Sequence, residues 1–171
     1  ADQDLTHHAS VLDAAARADK FVAIDMADGD TQTGSLREMI SQYPSLRIAI
    51  GHFGMVTVPG WEEQIKLARY PNVRVESGGI TWLFNSEFYP YPSAVRAILQ
   101  ARDLCGMDKL MWGSDYPRTM PAITYRMSWD FVDKSPLLTP EEKQLFFHEN
   151  AGSFYRFGPL PEMPYIHHMA E

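Results

Sequence analysis

The chain has 171 residues, 45% of them hydrophobic and 22% charged, with a formal net charge of -7. That balance suits one compact domain with a sizeable core and excludes a disordered or fibrous chain. The Lys and Arg residues are scattered, which excludes nucleic acid as an expected partner, and no apolar run approaches the roughly 18 residues of a membrane span.

In chain order, residues 6–18 carry helical spacing, with Thr6 as the expected cap and Val11, Leu12, Ala15 and Ala16 on one face. Phe21-Val22-Ala23-Ile24 reads as a buried strand ending at Asp25, followed by a polar loop over residues 27–33. Residues 35–43 form a second helix closed by Pro44, and residues 46–50 a second strand that ends at Gly51-His52. Residues 61–68 are helical, Tyr70-Pro71-Asn72 is a turn, and a third strand from Val73 stops at Glu76-Ser77-Gly78-Gly79. An aromatic connection covers residues 80–92. Residues 93–104 then form a patterned helix with Gly106 placed beyond its end, and residues 109–112 a fourth strand. The expected helix over residues 119–133 is rich in aromatics and Met. Thr139-Pro140-Glu141-Glu142 has the form of a capped helix start, with the helix running to about residue 154. Residues 1–157 make one domain, and 158–171 a Pro-rich tail.

This alternation of strands and helical crossovers requires parallel strands. A doubly wound sheet usually carries a glycine-rich phosphate loop after its first strand, and neither common form of that loop occurs here. A complete (β/α)₈ barrel needs roughly 250 residues, so this chain could supply about half of one. The single cysteine, Cys105, sits late in a helical pattern, where a buried, inert thiol is expected. The acidic start Ala1-Asp2-Gln3-Asp4 is unlike a signal peptide, so a cytoplasmic location is expected.

The four strands end at Asp25, His52, Glu76 with Ser77, and Asp115, each able to bind a metal or move a proton. The carboxyl ends of parallel strands are where α/β proteins bind ligands. His nitrogen and carboxylate oxygen suit a divalent ion whose bound water becomes hydroxide near neutrality. The stretch from Leu110 to Pro117 delivers Asp115 just after a buried strand, making it the first candidate for metal ligand or acid/base group. A capping turn is the plain structural alternative for Asp115, and a hydrogen-bonded structural role is the alternative for His52. Glu76 is discounted, on the expectation that strand alternation points it outward. His7-His8, His148 and His167-His168 are read as surface positions, and Gly78-Gly79 as a tight turn or an anion approach.

The segment Pro44-Ser45-Leu46-Arg47-Ile48-Ala49-Ile50-Gly51-His52-Phe53-Gly54 resembles one of the amidohydrolase-related metal-dependent hydrolases and decarboxylases. Trp112-Gly113-Ser114-Asp115-Tyr116-Pro117 resembles that family's eighth-strand motif, and Glu149-Asn150-Ala151 with Phe154-Tyr155 its closing helix. The resemblance spans about residues 20–157. It implies a TIM (β/α)₈ barrel of which these are strands five to eight, the C-terminal half, and a divalent metal, zinc or manganese. It implies His52 and Asp115 as catalytic groups and metal ligands, acting in metal-assisted hydrolysis or non-oxidative decarboxylation. The small substrate would be carboxylated or aromatic. Arg118 is the candidate for holding a substrate carboxylate, and Trp82 for an apolar lid with Phe84. Asp25 stands where the family often has a His ligand, so it is assigned to the substrate side.

The family's first-strand His-x-His is absent from this sequence. A half-barrel has open edges and an uncovered inner face, so the expected partner is the missing N-terminal half-barrel or a second copy of the chain. A fragment of a longer enzyme is the favoured expectation. A catalytically empty assembly module and a metal-independent hydrolase are the alternatives.

Overall fold

The computed structural model describes residues 4–26, 29–159 and 162. Its elements are α1 (Ala9–Arg17), β1 (Phe21–Ile24), α2 (Thr33–Gln42), β2 (Arg47–Ile50), α3 (Trp61–Lys66) and β3 (Val73–Glu76). These are followed by α4 (Ile80–Leu83), α5 (Pro92–Cys105), β4 (Leu110–Met111), α6 (Met127–Asp133), α7 (Pro140–Gln144) and α8 (Asn150–Tyr155). A π turn over Leu145–Glu149 joins the last two helices. No helix among the described residues is long and apolar enough to cross a membrane.

The strands form one parallel sheet in the order β1-β2-β3-β4, with Ala23 beside Ala49, Ile50 beside Val75 and Glu76 beside Met111. Consecutive order is the mark of a barrel segment, because a doubly wound sheet reverses direction at its centre. Alternation then sorts the side chains. Val22, Ile24, Ile48, Ile50, Val73, Val75 and Leu110 pack against the helix layer, into a core with Leu36, Met39, Ile65, Ile98 and Phe146. The opposite face, the inside of a barrel, carries Phe21, Ala23, Arg47, Ala49, Arg74, Glu76 and Met111. The chain is the half-barrel that the alternation of elements predicts.

The two edges of the sheet differ. At β4, the Trp112 N–H donates to Phe146 O at 2.8 Å, so the π turn covers the edge. α8 then turns onto the inner face, where Phe154 packs against Ala49 and Met111. At β1 no neighbouring strand lies among the described residues. A groove of about 320 Å³ opens there between Leu5, Val11 and Leu12 on one side and Val22 and Ile24 on the other.

Local chemistry explains most element ends. Thr139 Oγ1 accepts from the Glu142 N–H at 3.2 Å, and the Thr139 N–H donates to Glu142 Oε2 at 2.9 Å, as the sequence predicts for a capping box. Two expectations need correction. The chain enters through a 3₁₀ turn, Leu5–His8, capped by Asp4, whose Oδ1 accepts from the Thr6 N–H at 2.9 Å, and α1 follows from Ala9 with no side-chain cap, so Thr6 lies inside the turn. The helix expected over residues 119–133 begins only at Met127, because Pro117 and Pro121 withhold amide donors and Thr119 Oγ1 donates back to Ser114 O at 3.0 Å. His167-His168 and most of the Pro-rich tail lie outside the described residues.

Candidate active site

All four strands deliver their polar residues to one end of the sheet. After β2 the chain turns through His52, Phe53, Gly54 and Met55, with φ of 48°, 51°, 61° and 54°. Left-handed backbone at three non-glycine residues is unfavourable unless surrounding structure holds it, and such positions gather at functional sites. The buried Phe53 anchors the turn, stacking near Trp61 with ring centroids 6.4 Å apart. Asp115, after β4, has φ of 51°.

His52 has a polar neighbour at each ring nitrogen. Nδ1 lies 3.0 Å from Gly78 O, and Nε2 lies 3.4 Å from Asp25 Oδ2. A carbonyl oxygen only accepts, so Nδ1 carries the proton. A ring protonated at Nδ1 alone presents the bare Nε2 lone pair to a carboxylate. Two lone pairs repel, and the pair is satisfied when a second proton or another cation lies between them. Asp25 is exposed and can meet a ligand from solvent.

Asp115 is engaged elsewhere. Its Oδ2 accepts from Trp82 Nε1 at 3.1 Å. The Trp82 ring also meets His52 edge-on, with centroids 6.2 Å apart, and carries the Arg118 guanidinium 5.0 Å from its centroid. The site thus brings together Asp25, His52, Trp82, Asp115 and Arg118, with Trp82 touching the last two and His52. Phe84 packs against the main core. His7, His8 and His148 are exposed. Burial pushes the Cys105 thiol up to about 12, which keeps it protonated and unreactive at neutral pH.

Glu76 belongs to the site as well, contrary to the outward orientation expected of it. Val73 and Val75 face the helices, so alternation turns Glu76 to the inner face, beside the other strand-end groups. Its Oε1 accepts from the Gly78 N–H at 2.8 Å. Burial holds its carboxyl above the usual carboxylate range, opposed by the Gly78 bond and by His52 and assisted by Asp115 and Asp25. Glycines make the room. A Cβ at Gly113 would land on the Glu76 carboxylate, and one at Gly51 on Asp25 Oδ1. The parity of the valines and these two glycines were the signals in the sequence.

The raised Glu76 carboxyl has a consequence for stability. The folded chain holds this proton more tightly than the unfolded chain does, so the contribution is full below the ordinary carboxylate pKa. It is lost as pH rises through the folded value. Thermal unfolding of Glu76→Gln should therefore lack part of the decline in melting temperature that the parent shows from acid toward neutral pH. Parallel pH curves for the two proteins would show that Glu76 carries no such linkage.

The amidohydrolase family model matches residues 4–157. The chain belongs to the amidohydrolase family. Among curated relatives, L-fucono-1,5-lactonase of Burkholderia ambifaria is 29% identical over 129 residues, 67% of this chain and 43% of that protein. A putative 2-pyrone-4,6-dicarboxylic acid hydrolase from Pseudomonas putida superposes with a TM-score of 0.70 at 21% identity, over 91% of this chain and 59% of that one. The 5-carboxyvanillate decarboxylase of Novosphingobium aromaticivorans, solved with manganese and 4-hydroxy-3-methoxy-5-nitrobenzoic acid, gives 0.61 at 16% identity, over 92% and 53%. The chain spans less than half the length of the curated relatives it matches.

Zinc is bound in a structurally similar amidohydrolase of Burkholderia multivorans, and manganese in the decarboxylase. Here, Nε2 of His52 and the Asp25 carboxylate are adjacent donors of the right chemistry. A catalytic zinc site uses three protein ligands and an open position. No group of three His, Cys, Asp or Glu among the described residues is arranged to hold an ion. These residues alone do not fit a resident metal. Of the expected ligands, His52 has Asp25 facing its Nε2, and Asp115 accepts from Trp82.

Proposed function

We propose that this chain carries the acid–base half of an amidohydrolase-family active site, hydrolysing a small, carboxylated ring ester. The observation that carries this is the fixed His52 ring, with its Nδ1 proton committed to Gly78 O and its Nε2 open toward Asp25. In such a site Nε2 takes a proton from water as the water attacks the substrate carbonyl. The Asp25 carboxylate then stabilises the imidazolium that forms. The imidazolium gives that proton to the departing oxygen as the ring ester opens, and Asp115, oriented by the Trp82 N–H, would relay it. Arg118 lies over the Trp82 face and offers a guanidinium to a substrate carboxylate, while the indole supplies a flat apolar wall.

The ring-ester class is supported by the names of the lactonase and the pyrone hydrolase to which the chain is similar. Decarboxylation of an aromatic acid is the second reading, supported by the manganese-bound decarboxylase. Metal assistance by zinc or manganese belongs to the same proposal on one condition. Donors from outside the described residues must complete the set that His52 and Asp25 begin. The open β1 edge and its apolar groove fit an added half-barrel or a second copy as the source of those donors.

The test is turnover of a sugar-acid 1,5-lactone, a pyrone dicarboxylate and a hydroxylated aromatic acid, alongside elemental analysis and solution mass. It is run on this chain and on any longer protein that contains it. Lactone opening is the expected result, with metal bound only when additional donors are present. Inactivity of both proteins on every substrate would reject the enzymatic reading and favour an assembly module. Turnover by a metal-free chain would favour the metal-independent hydrolase.

A further inference from the structure

We propose that Glu76 is a positioning residue for His52, acting through the backbone of Gly78. The inference deepens the proposed function, and its catalytic consequence rests on that reading. Glu76 meets no substrate in the scheme above, yet it is a partly buried carboxyl at the end of β3, on the face that the site occupies. Its Oε1 accepts the Gly78 N–H at 2.8 Å, and the carbonyl of that same residue accepts the His52 Nδ1–H at 3.0 Å. The two bonds use different peptide units joined at the Gly78 Cα. The effect is therefore geometric: the carboxyl fixes where Gly78 lies, and Gly78 fixes which nitrogen of His52 is protonated.

The surroundings fit this role. Gly78 is buried and lies so close to Glu76 that an added Cβ would crowd both carboxyl oxygens, at 2.8 Å from each. Gly113, on the neighbouring strand's extension, leaves the space that the carboxyl fills. The next residue is also a glycine, Gly79, at φ of 75°, and a glycine pair has wide conformational freedom, so contacts rather than side-chain sterics hold this turn in one shape. Without the Glu76 bond, Gly78 loses the side chain that secures its amide. The carbonyl facing Nδ1 is then free to drift. An imidazole released from that carbonyl exchanges its proton between nitrogens, and a ring with Nε2–H has no lone pair for water or for a cation.

The experiment is nitrogen–proton correlation spectroscopy of the His52 ring in the full chain, with a chelator present and at a fixed pH where the ring is neutral. The parent should show one tautomer, Nδ1–H. Glu76→Ala should replace it with a mixture in which Nε2–H is prominent, whereas Glu76→Gln, which keeps an oxygen acceptor for Gly78, should restore the parent signal. Gly113→Ala displaces the carboxyl without altering Glu76 and should reproduce the alanine variant. That substitution carries the test if Glu76→Ala does not fold. An unchanged Nδ1–H signal in folded Glu76→Ala or Gly113→Ala overturns the proposal. So does a glutamine variant that resembles alanine, since the effect would then follow charge rather than the Gly78 bond. A chain with the fixed tautomer but no turnover on any substrate counts against the proposed function alone.

Discussion

Replacing His52 by Asn should lower kcat/KM about 10²–10⁴-fold while leaving the fold in place, the range that loss of a positioned acid–base group produces. Asparagine is chosen for two physical reasons. His52 sits at φ of 48°, and Asn tolerates left-handed backbone better than Ala does. Its side-chain amide can also donate toward Gly78 O, in place of the bond that His52 Nδ1 makes. The substitution thus removes the Nε2 lone pair and the edge contact with Trp82 while keeping a donor for Gly78 O. A decline in KM terms alone, with kcat retained, would mean that His52 binds substrate without moving a proton. Activity equal to the parent would remove His52 from the chemistry. Circular dichroism and the unfolding midpoint separate either result from a folding defect.

Much of this site was legible before any coordinates, and for a specific reason. Each strand is a short apolar run, and each stops at a polar or glycine residue, so Asp25, His52 and Asp115 mark strand ends by their position alone. Parallel pairing then brings those ends to one side. What the linear pattern does not contain is which of them meet. The pairing of His52 with Asp25, and of Asp115 with Trp82, depends on the left-handed turns at His52 and Asp115. Left-handed backbone at a non-glycine residue has no reliable signature in a single sequence. The inward side of Glu76 is readable from Val73 and Val75, whose parity assigns it to the face opposite theirs. The boundary of α6 was missed because an apolar, aromatic-rich stretch carries helical periodicity even where two prolines deny it hydrogen bonds.

The polar groups and the core also explain each other. Gly51 and Gly113 would be replaceable strand-end residues if Asp25 and Glu76 were absent. With the carboxylates present, each glycine occupies a place that a Cβ cannot share. The glycines beside the family's motif residues are therefore part of the site, though none of them offers a functional group.

The largest stability effect outside the apolar core is expected at Asn150. Its side chain is buried, and Nδ2 donates to both Met107 O and Leu110 O, each at 2.7 Å. The acceptors lie 43 and 40 residues earlier, so the Asn-Ala pattern near the end of the chain gives no hint of them. These bonds tie the start of α8 to the short turn that feeds β4. That strand is only two residues long. Beyond its pairing with β3, it is held by Asn150 and by the Phe146 carbonyl that receives the Trp112 N–H. Asn150→Leu keeps the number and branching of side-chain heavy atoms but removes the donor from Leu110 O, at about 1–3 kcal/mol for a buried group left unsatisfied, and leaves Met107 O with the Leu110 N–H alone. The expected loss is about 1–3 kcal/mol, read as a lower urea midpoint with an unchanged slope. Hydrogen exchange should quicken first at Leu110, Met111 and Trp112. A loss below about 0.5 kcal/mol, the scatter of ordinary surface substitutions, would show that water replaces the Asn150 amide. If β4 loosens as expected, activity should fall with it, because Asp115 lies three residues after Trp112, on the loop that leaves that strand. The Asn of the closing helix then serves catalysis from the far end of the strand, by keeping a two-residue strand in register.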